Sequence, residues 1–359
     1  MQFALIGCSR ISVNHLMAAL DNDFETVALC DINRQSFDSL LENCGLAGNS
    51  GVRFYSDYRE MIEKEPSINL VSIATPSNLH AEMALYCIER KKHLIIEKPI
   101  ALSIDDADEI VRMAEYHGVK VSICHQNRLS IISKALKEAV VDGRFGELSH
   151  GSIHVRWNRN AEYFEQAKWR GTWAQDGGCL MNQCIHGIDL LTWVMGSQVA
   201  TVYAQTRQRF HNYLEAEDIG MAVLSFANGA IATIEGTTNV FPRNLEESLC
   251  IFGETGTVKL GGASASKIEV WDFLDSNSGQ ELDTLMEQAE SARGKGHYLI
   301  YKDTKEAIER DREPFINAKA GRDALEIVLA IYKSQKTGLP VSLPLEDFST
   351  LDMIGEFCE

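Results

Sequence analysis

Residues 2–12, QFALIGCSRIS, decide how the rest of the chain is read. An apolar run meets a turn at Gly7-Cys8-Ser9-Arg10-Ile11-Ser12, and a helical pattern follows through Leu16 and Leu20. A second apolar run, TVALC at 26–30, ends on Asp31. Strand, tight turn, helix and strand in that order make a βαβ unit suited to a dinucleotide. Its pyrophosphate rests on a helix N-terminus, and an acid about twenty residues on takes the ribose hydroxyls. The glycine fingerprint is incomplete: Gly7 stands, but Ser9 and Ser12 replace the second and third glycines. The competing reading is an ordinary turn of the same fold with Asp31 as a solvated acid. Asp31 also bears on the cofactor, because a carboxylate accepts from both adenosine ribose hydroxyls and repels a 2′-phosphate. NAD is therefore favoured over NADP, with Arg34 placed to stack on adenine or to tolerate a phosphate.

The alternation continues downstream. Buried-strand patterns at 69–75 (NLVSIAT), 93–97 (HLIIE) and 119–125 alternate with helical patterns near 57–64, 80–90 and 105–117. Such a pattern predicts a parallel sheet whose ligands lie beyond the carboxyl ends of its strands. Thr75, Pro76, Asn78, His80, Glu97, Lys98, Gln126 and Arg128 all fall at those ends. With the turn residues Gly7, Ser9, Arg10 and Ile11 and with Asp31 and Arg34, most of them make up the expected cofactor contacts.

From about residue 147 the grammar changes. Strand-like runs at 148–158, 199–210, 216–227, 230–240, 247–252 and 256–260 are separated in several places by Gly- and Asn-containing turns. The expectation is an α/β Rossmann domain over 1–124 and an α+β domain over 125–359 with a large, mostly antiparallel open sheet. A polar segment at 275–296 reads as a mobile excursion, and helical patterns at 298–310 and 321–337 follow.

Composition limits the function. A net charge of −17 over 359 residues opposes general binding to nucleic acid or to anionic membranes. The nine cysteines show no paired spacing, no apolar run reaches membrane-spanning length, and no signal-peptide pattern opens the chain; cytoplasmic residence is expected. No metal site is expected.

Residues 169–189, WRGTWAQDGGCLMNQCIHGID, carry the second polar constellation. Asn182, His186 and Asp189 recur at helical spacing and so are expected on one face, with Leu190, Leu191 and Trp193 as anchors. Asp189 reads as structural.

Taken together, the Gly7 turn, ATPSNLH, IIEKPIALS, DGGCLMNQCIHGIDLL and AGRDALEIVLAIYKSQKTGLPVSLP resemble the Gfo/Idh/MocA family of NAD(P)-dependent oxidoreductases. Within it, GCSRIS, WRGTW and NQCIHGIDLL are most similar to the nucleotide-sugar 3-dehydrogenases. These oxidise UDP-N-acetylglucosamine or its uronic acid on the route to bacterial surface-polysaccharide sugars. The resemblance implies that Lys98 and His186 flank the reacting hydroxyl. An imidazole suits the base, and a charged Lys98 stabilises alkoxide character; a desolvated lysine would reverse the roles. It also implies that Trp169 and Arg170 reach the dinucleotide. Arg156, Tyr163, Asn182 and Gln183 are the substrate candidates. Asn182 departs from an aspartate common in the family, and an amide there suits a negatively charged sugar such as a uronate.

Two further activities stay open: dehydrogenation of a free sugar or inositol, and NAD-dependent glycoside hydrolysis. A sugar sensor without turnover is disfavoured by Lys98 and His186. Apolar alternation over 216–240 points to a second subunit, and the family commonly forms homodimers and homotetramers.

Overall fold

The computed structural model describes residues 1–48, 51–274, 278–291 and 294–357. Two compact units emerge. One takes Met1–Ala101, Asp105–Gln126 and Lys295–Arg322; the other takes Leu102–Ile104, Asn127–Gly294 and Asp323–Glu359.

The first unit follows the expected alternation: β1 Gln2–Ile6, α1 Ser12–Asp21, β2 Glu25–Cys30, α2 Arg34–Asn43, β3 Arg53–Tyr55, α3 Tyr58–Lys64, β4 Leu70–Ile73, α4 His80–Glu89, β5 His93–Ile96, α5 Ile104–His117 and β6 Val121–Ile123. Its six strands pair in parallel in the order β3-β2-β1-β4-β5-β6. Every residue of β4 is buried, as suits a strand covered on both faces. Short polar side chains start the helices: Asn33 accepts from the Gln35 amide ahead of α2, and Asp57 from the Arg59 amide ahead of α3. The chain order reverses between β1 and β4, which opens a crevice at the strand ends.

The second unit is built from α6 Ile131–Val141, β7 Leu148–Arg156, α7 Ala161–Glu165, a π-helical turn Leu180–Cys184, α8 Ile185–Met195, β8 Val199–Arg207, β9 Ile219–Phe226, β10 Ile231–Thr237, β11 Glu246–Gly253, β12 Gly256–Gly261, β13 Lys267–Phe273 and α9 Ser278–Ser291. After α10 Gly296–Glu309 come α11 Ala318–Thr337 and β14 Val341–Ser342. The eight strands run β13-β12-β11-β7-β10-β9-β8-β14, all antiparallel except the β7–β10 pair.

One face of this sheet is covered by α8. Gly187 lets the helix lie on Ile153 and Val155, and Gly151 lets β7 approach Leu191 and Met195. On the opposite face Tyr203, Met221, Val223 and Ile231 are exposed, because alternate residues of β8, β9 and β10 point outward.

Two sequence expectations change. The polar segment expected to be a mobile excursion contains a helix at 278–291 that the sequence reading does not place there; residues 275–277 and 292–293 of that stretch lie outside the described residues. The segment Lys295–Arg322 also belongs to the first unit, not to a continuous second domain. The reason is aromatic packing. Tyr301 on α10 is fully buried against Phe3, Phe24 and His15, and its hydroxyl lies 2.6 Å from Ser72 Oγ.

Candidate active site

Gly7 ends β1 with φ of 94°, and a Cβ there would stand 2.5 Å from the Ala74 carbonyl oxygen. Only glycine lets β1 and the residue after β4 come this close. Asp31 ties the same turn to the end of β2: Oδ2 accepts from the Cys8 amide at 2.8 Å and Oδ1 from the Asn33 amide at 2.8 Å. Ser12 Oγ donates to the Ser9 carbonyl, so serine closes the start of α1 where a glycine pattern is missing. A groove of about 330 Å³ lies here, lined by Cys8, Ser9, Arg10, Asn33, Gln35 and Ser36. Ile11 is the residue from which α1 starts. The Arg34 guanidinium stacks on Phe37 and Phe54 at 4.7 and 4.8 Å and pairs with Asp38. At the far end of the sheet, Gln126 Oε1 is buried without a hydrogen-bond partner among the described residues. A glycine cradle, a helix N-terminus, an acid at the end of β2 and an orphaned acceptor fit a dinucleotide.

Lys98 follows β5 and is half-buried. Its amide lies 3.2 Å from Glu97 Oε2, while Glu97 Oε1 receives His15 Nε2 at 3.1 Å and His297 Nε2 at 3.0 Å. Burial alone would push the Glu97 carboxyl up. The bonds from the two imidazoles outweigh it and hold the group well below the usual carboxylate range. His15 accepts or donates at Nδ1 with the Tyr301 hydroxyl, 2.9 Å away. Donation from His15 Nε2 to an ionised Glu97 makes Nδ1 the acceptor. With Cys124 these groups place four donor atoms within 4.8 Å of one another, a cluster that sequence spacing did not suggest. Mutual hydrogen bonding accounts for it. His80 is buried as well, its Nδ1 2.7 Å from the Pro99 carbonyl and its Nε2 3.0 Å from the Thr75 carbonyl. Glu97 and His80, read from sequence as cofactor contacts, thus hold the backbone on both sides of Lys98. Pro76 leads into a short 3-10 turn, and Asn78 within that turn is exposed.

In the second unit, the π turn carries Asn182 and Gln183 just ahead of His186. A π turn holds an extra residue and is frequent at functional sites. Gln183 Nε2 donates to the Tyr163 hydroxyl at 2.8 Å and to Asn182 Oδ1 at 3.0 Å. Asn182 Nδ2 donates to Asp176 Oδ1 at 2.5 Å, and Asp176 Oδ2 accepts from the Gly171 amide at 2.9 Å. The Arg170 guanidinium sits 4.2 Å above the Tyr163 ring and 5.7 Å from that of Trp169, and donates to the Tyr163 carbonyl. His186 is half-buried on the first turn of α8.

Three sequence readings need correction here. Arg156 does not join this cluster. As the last residue of β7 it points to the outer face of the sheet, where Glu235 and Glu246 hold it at 2.5–2.7 Å. Arg159 takes its place, with Nε 3.1 Å from Gln183 Oε1; β7 ends at Arg156, so Arg159 lies beyond the strand. Asp189 does not share a ligand face with Asn182. It is fully buried in a bidentate pair with Arg128, at 2.8 and 2.5 Å, so Arg128 is not a strand-end ligand either. Asp176 was missed altogether, although the Asp-Gly-Gly run before a helix marks a tight approach.

That approach is made by Glu217. A Cβ on Gly178 would collide with its carboxylate, whose Oε1 accepts from the Leu180 amide and the Tyr332 hydroxyl, both at 2.9 Å. Burial raises the Glu217 carboxyl to about 8, with the Asp176 charge adding to it. The folded protein therefore keeps this proton where an unfolded carboxyl has lost it. Stability from Glu217 is full below the ordinary carboxylate range and declines as pH rises towards about 8, at up to about 1.4 kcal/mol per unit. Urea unfolding of Glu217→Gln at pH 5 and pH 8 checks this: the variant loses less stability between the two than the parent. An equal loss would contradict it.

A parallel nucleotide-binding sheet joined to a titratable helix site defines a dinucleotide-dependent oxidoreductase. The first 125 residues match the oxidoreductase family with an NAD-binding Rossmann fold, and residues 133–259 match the GFO/IDH/MocA C-terminal domain. The chain belongs to the Gfo/Idh/MocA family; it is an NAD-dependent oxidoreductase acting on a CH–OH group. It is similar to the WlbA dehydrogenase of Bordetella pertussis, solved with NADH and UDP-GlcNAcA, at 34% identity and a TM-score of 0.90 over 96% of this chain and 98% of that one. The WlbA dehydrogenase of Chromobactrium violaceum, solved with the same two ligands, is 32% identical with a TM-score of 0.86 over 96% of each chain. The myo-inositol 2-dehydrogenase of Thermotoga maritima is 23% identical over 99% of this chain and 94% of its own length.

Proposed function

We propose that this enzyme oxidises the 3-hydroxyl of a UDP-N-acetyl-amino sugar, with the uronic acid of UDP-N-acetylglucosamine as the preferred substrate. The observation that carries the reading is full-length similarity, at 34% identity, to a dehydrogenase solved with NADH and UDP-GlcNAcA. Removing a secondary alcohol's hydrogens needs a hydride acceptor and a base; bound nicotinamide supplies the first. His186 takes the hydroxyl proton, and Lys98 hydrogen-bonds the same oxygen as it gains negative charge. Tyr163, Asn182 and Gln183 orient the sugar ring. Glu97, His80 and Thr75 fix the backbone that carries Lys98, so the ammonium is positioned before substrate arrives. Gly7, Ser9, Arg10, Ile11, Asp31, Arg34, Pro76, Asn78, Gln126, Trp169 and Arg170 are proposed for cofactor binding. The 3-keto product suits amino transfer in the making of bacterial surface-polysaccharide sugars, a cytoplasmic route.

The test follows nicotinamide absorbance with NAD and UDP-N-acetylglucosamine, its uronate, or free inositols. Reduction with the uronate supports the reading. Reduction with inositol alone supports the second one, which the Thermotoga maritima relative favours.

We also propose a homodimer or homotetramer formed through the outer face of the eight-stranded sheet, where Tyr203, Met221, Val223 and Ile231 are exposed. Light scattering is expected to give at least twice the 40.0 kDa chain mass. A monomer at all concentrations would rule this out.

A further inference from the structure

We infer that His15, Glu97, Cys124 and His297 form a binding site for a divalent cation of the zinc class, a structural site that fastens the start of α10 to the nucleotide-binding sheet. One donor atom from each residue lies within 4.8 Å of the others. The sheet sets two of the four. The Glu97 amide donates to the Ile73 carbonyl at 2.9 Å and the Cys124 amide to the Ile96 carbonyl at 3.0 Å, so both residues stand at the ends of neighbouring strands. His15 comes from α1 and His297 from α10, with ring centroids 4.9 Å apart and planes inclined at 75°. His15 and Cys124 have no exposed surface, and Glu97 is buried beside them.

The hydrogen bonds that hold this cluster together also hold it near the shape that zinc requires. His15 Nε2 and His297 Nε2 lie 3.1 and 3.0 Å from Glu97 Oε1. Bonds of about 2.0–2.1 Å from zinc to nitrogen and oxygen give tetrahedral edges of about 3.3 Å, and the longer bond to sulfur, about 2.3 Å, lets a thiolate stand farther out. Charge balances too, because one carboxylate and one thiolate neutralise a dication in a buried place. Uptake releases the Cys124 thiol proton to solvent, and each imidazole carries its proton on Nδ1 instead of Nε2. For His15 that proton meets the Tyr301 hydroxyl, 2.9 Å away, which passes its own to Ser72 Oγ at 2.6 Å. Such an outer partner orients a ligating histidine. Imidazole and thiolate select zinc over magnesium or calcium, which prefer oxygen. Four protein ligands leave no open position for water, so the ion holds α10 and takes no part in the chemistry.

Chelator-treated enzyme is titrated with cobalt(II), a spectroscopic stand-in for zinc, and zinc is then added to displace it. The expected result is one bound equivalent with the strong visible absorption of a tetrahedral ion and a near-ultraviolet sulfur-to-cobalt charge-transfer band, both erased by zinc. Cys124→Ser loses the charge-transfer band. His297→Gln, at a partly exposed position, weakens uptake by at least about 10-fold, and Tyr301→Phe weakens it by about 10- to 100-fold through the lost outer partner. NADH binding shows that each variant is folded, and zinc raises the unfolding temperature of the parent more than that of His297→Gln. The chain has nine cysteines, so a charge-transfer band that survives Cys124→Ser places the ion on another thiol and overturns the inference. Absence of uptake, or a weak octahedral spectrum, overturns it equally.

Discussion

Alanine at His186 lowers kcat by roughly 10²- to 10⁴-fold, the usual contribution of a positioned general base, while NADH binding stays near the parent value. His186 sits on α8 in the second unit, whereas the Gly7 turn and Asp31, the proposed nucleotide contacts, belong to the first and keep their geometry in the variant. Methionine at Lys98 produces a loss of the same order, because an oxygen gaining negative charge loses its cation. The two variants separate on their pH profiles. Without the base, the rate rises steeply as hydroxide takes over; without Lys98, the imidazole limb persists. Stopped-flow measurement of the first turnover avoids confusion with slow product release. Turnover within threefold of the parent in both variants would remove them from the chemistry.

Alanine at Asp189 destabilises the protein by about 3–5 kcal/mol, the range for breaking a buried ion pair from one side. Asp189 has no exposed surface and Arg128 is only 9% exposed, so the stranded guanidinium gains little water. It is also left near another cation. Lys137 lies 5.8 Å and Arg128 5.6 Å from the Trp193 ring, and burial followed by the Arg128 charge already lowers the Lys137 ammonium below its ordinary range. Removing the carboxylate leaves those two repelling each other on the face of α8. The double variant Arg128→Met with Asp189→Leu recovers much of the loss, because a buried pair replaced by apolar groups costs little. Urea unfolding of the two single variants and the double variant measures this. A loss below about 1 kcal/mol in Asp189→Ala would mean that the pair does not hold α8 in place.

Much of the fold was legible because its signals are local. Continuous apolar strands alternating with helices predict a parallel sheet, and β4 and β5 fall where those runs stand. The second sheet was readable from period-two runs, apart from β13, whose KIEVWDF stands between the turn-rich stretches GGASAS and DSNSG, and β14, which is only two residues long. Side-chain partners were less accessible. Glu97 bonds to His15 and His297, 82 and 200 residues away, and no spacing rule spans such distances. The shift between Arg156 and Arg159 came from the strand ending between them, which a pattern of loosely counted polar residues blurs. Asp189 reads as structural from the sequence, yet its partner Arg128, which falls at a strand end, is not visible as the other half of the pair, because 61 residues separate them.

The position of Tyr301 has a consequence for synthesis. As the chain leaves the ribosome, β1 through β6 are all available by residue 126, but the aromatic slot framed by Phe3, Phe24 and His15 stays open to water. Its plug arrives only after another 175 residues have been made. Throughout that interval the nascent nucleotide-binding unit presents an unfilled apolar surface, the condition under which chaperones engage emerging chains. The last turn of assembly for the first-made part of this enzyme is thus contributed by one of its last-made helices.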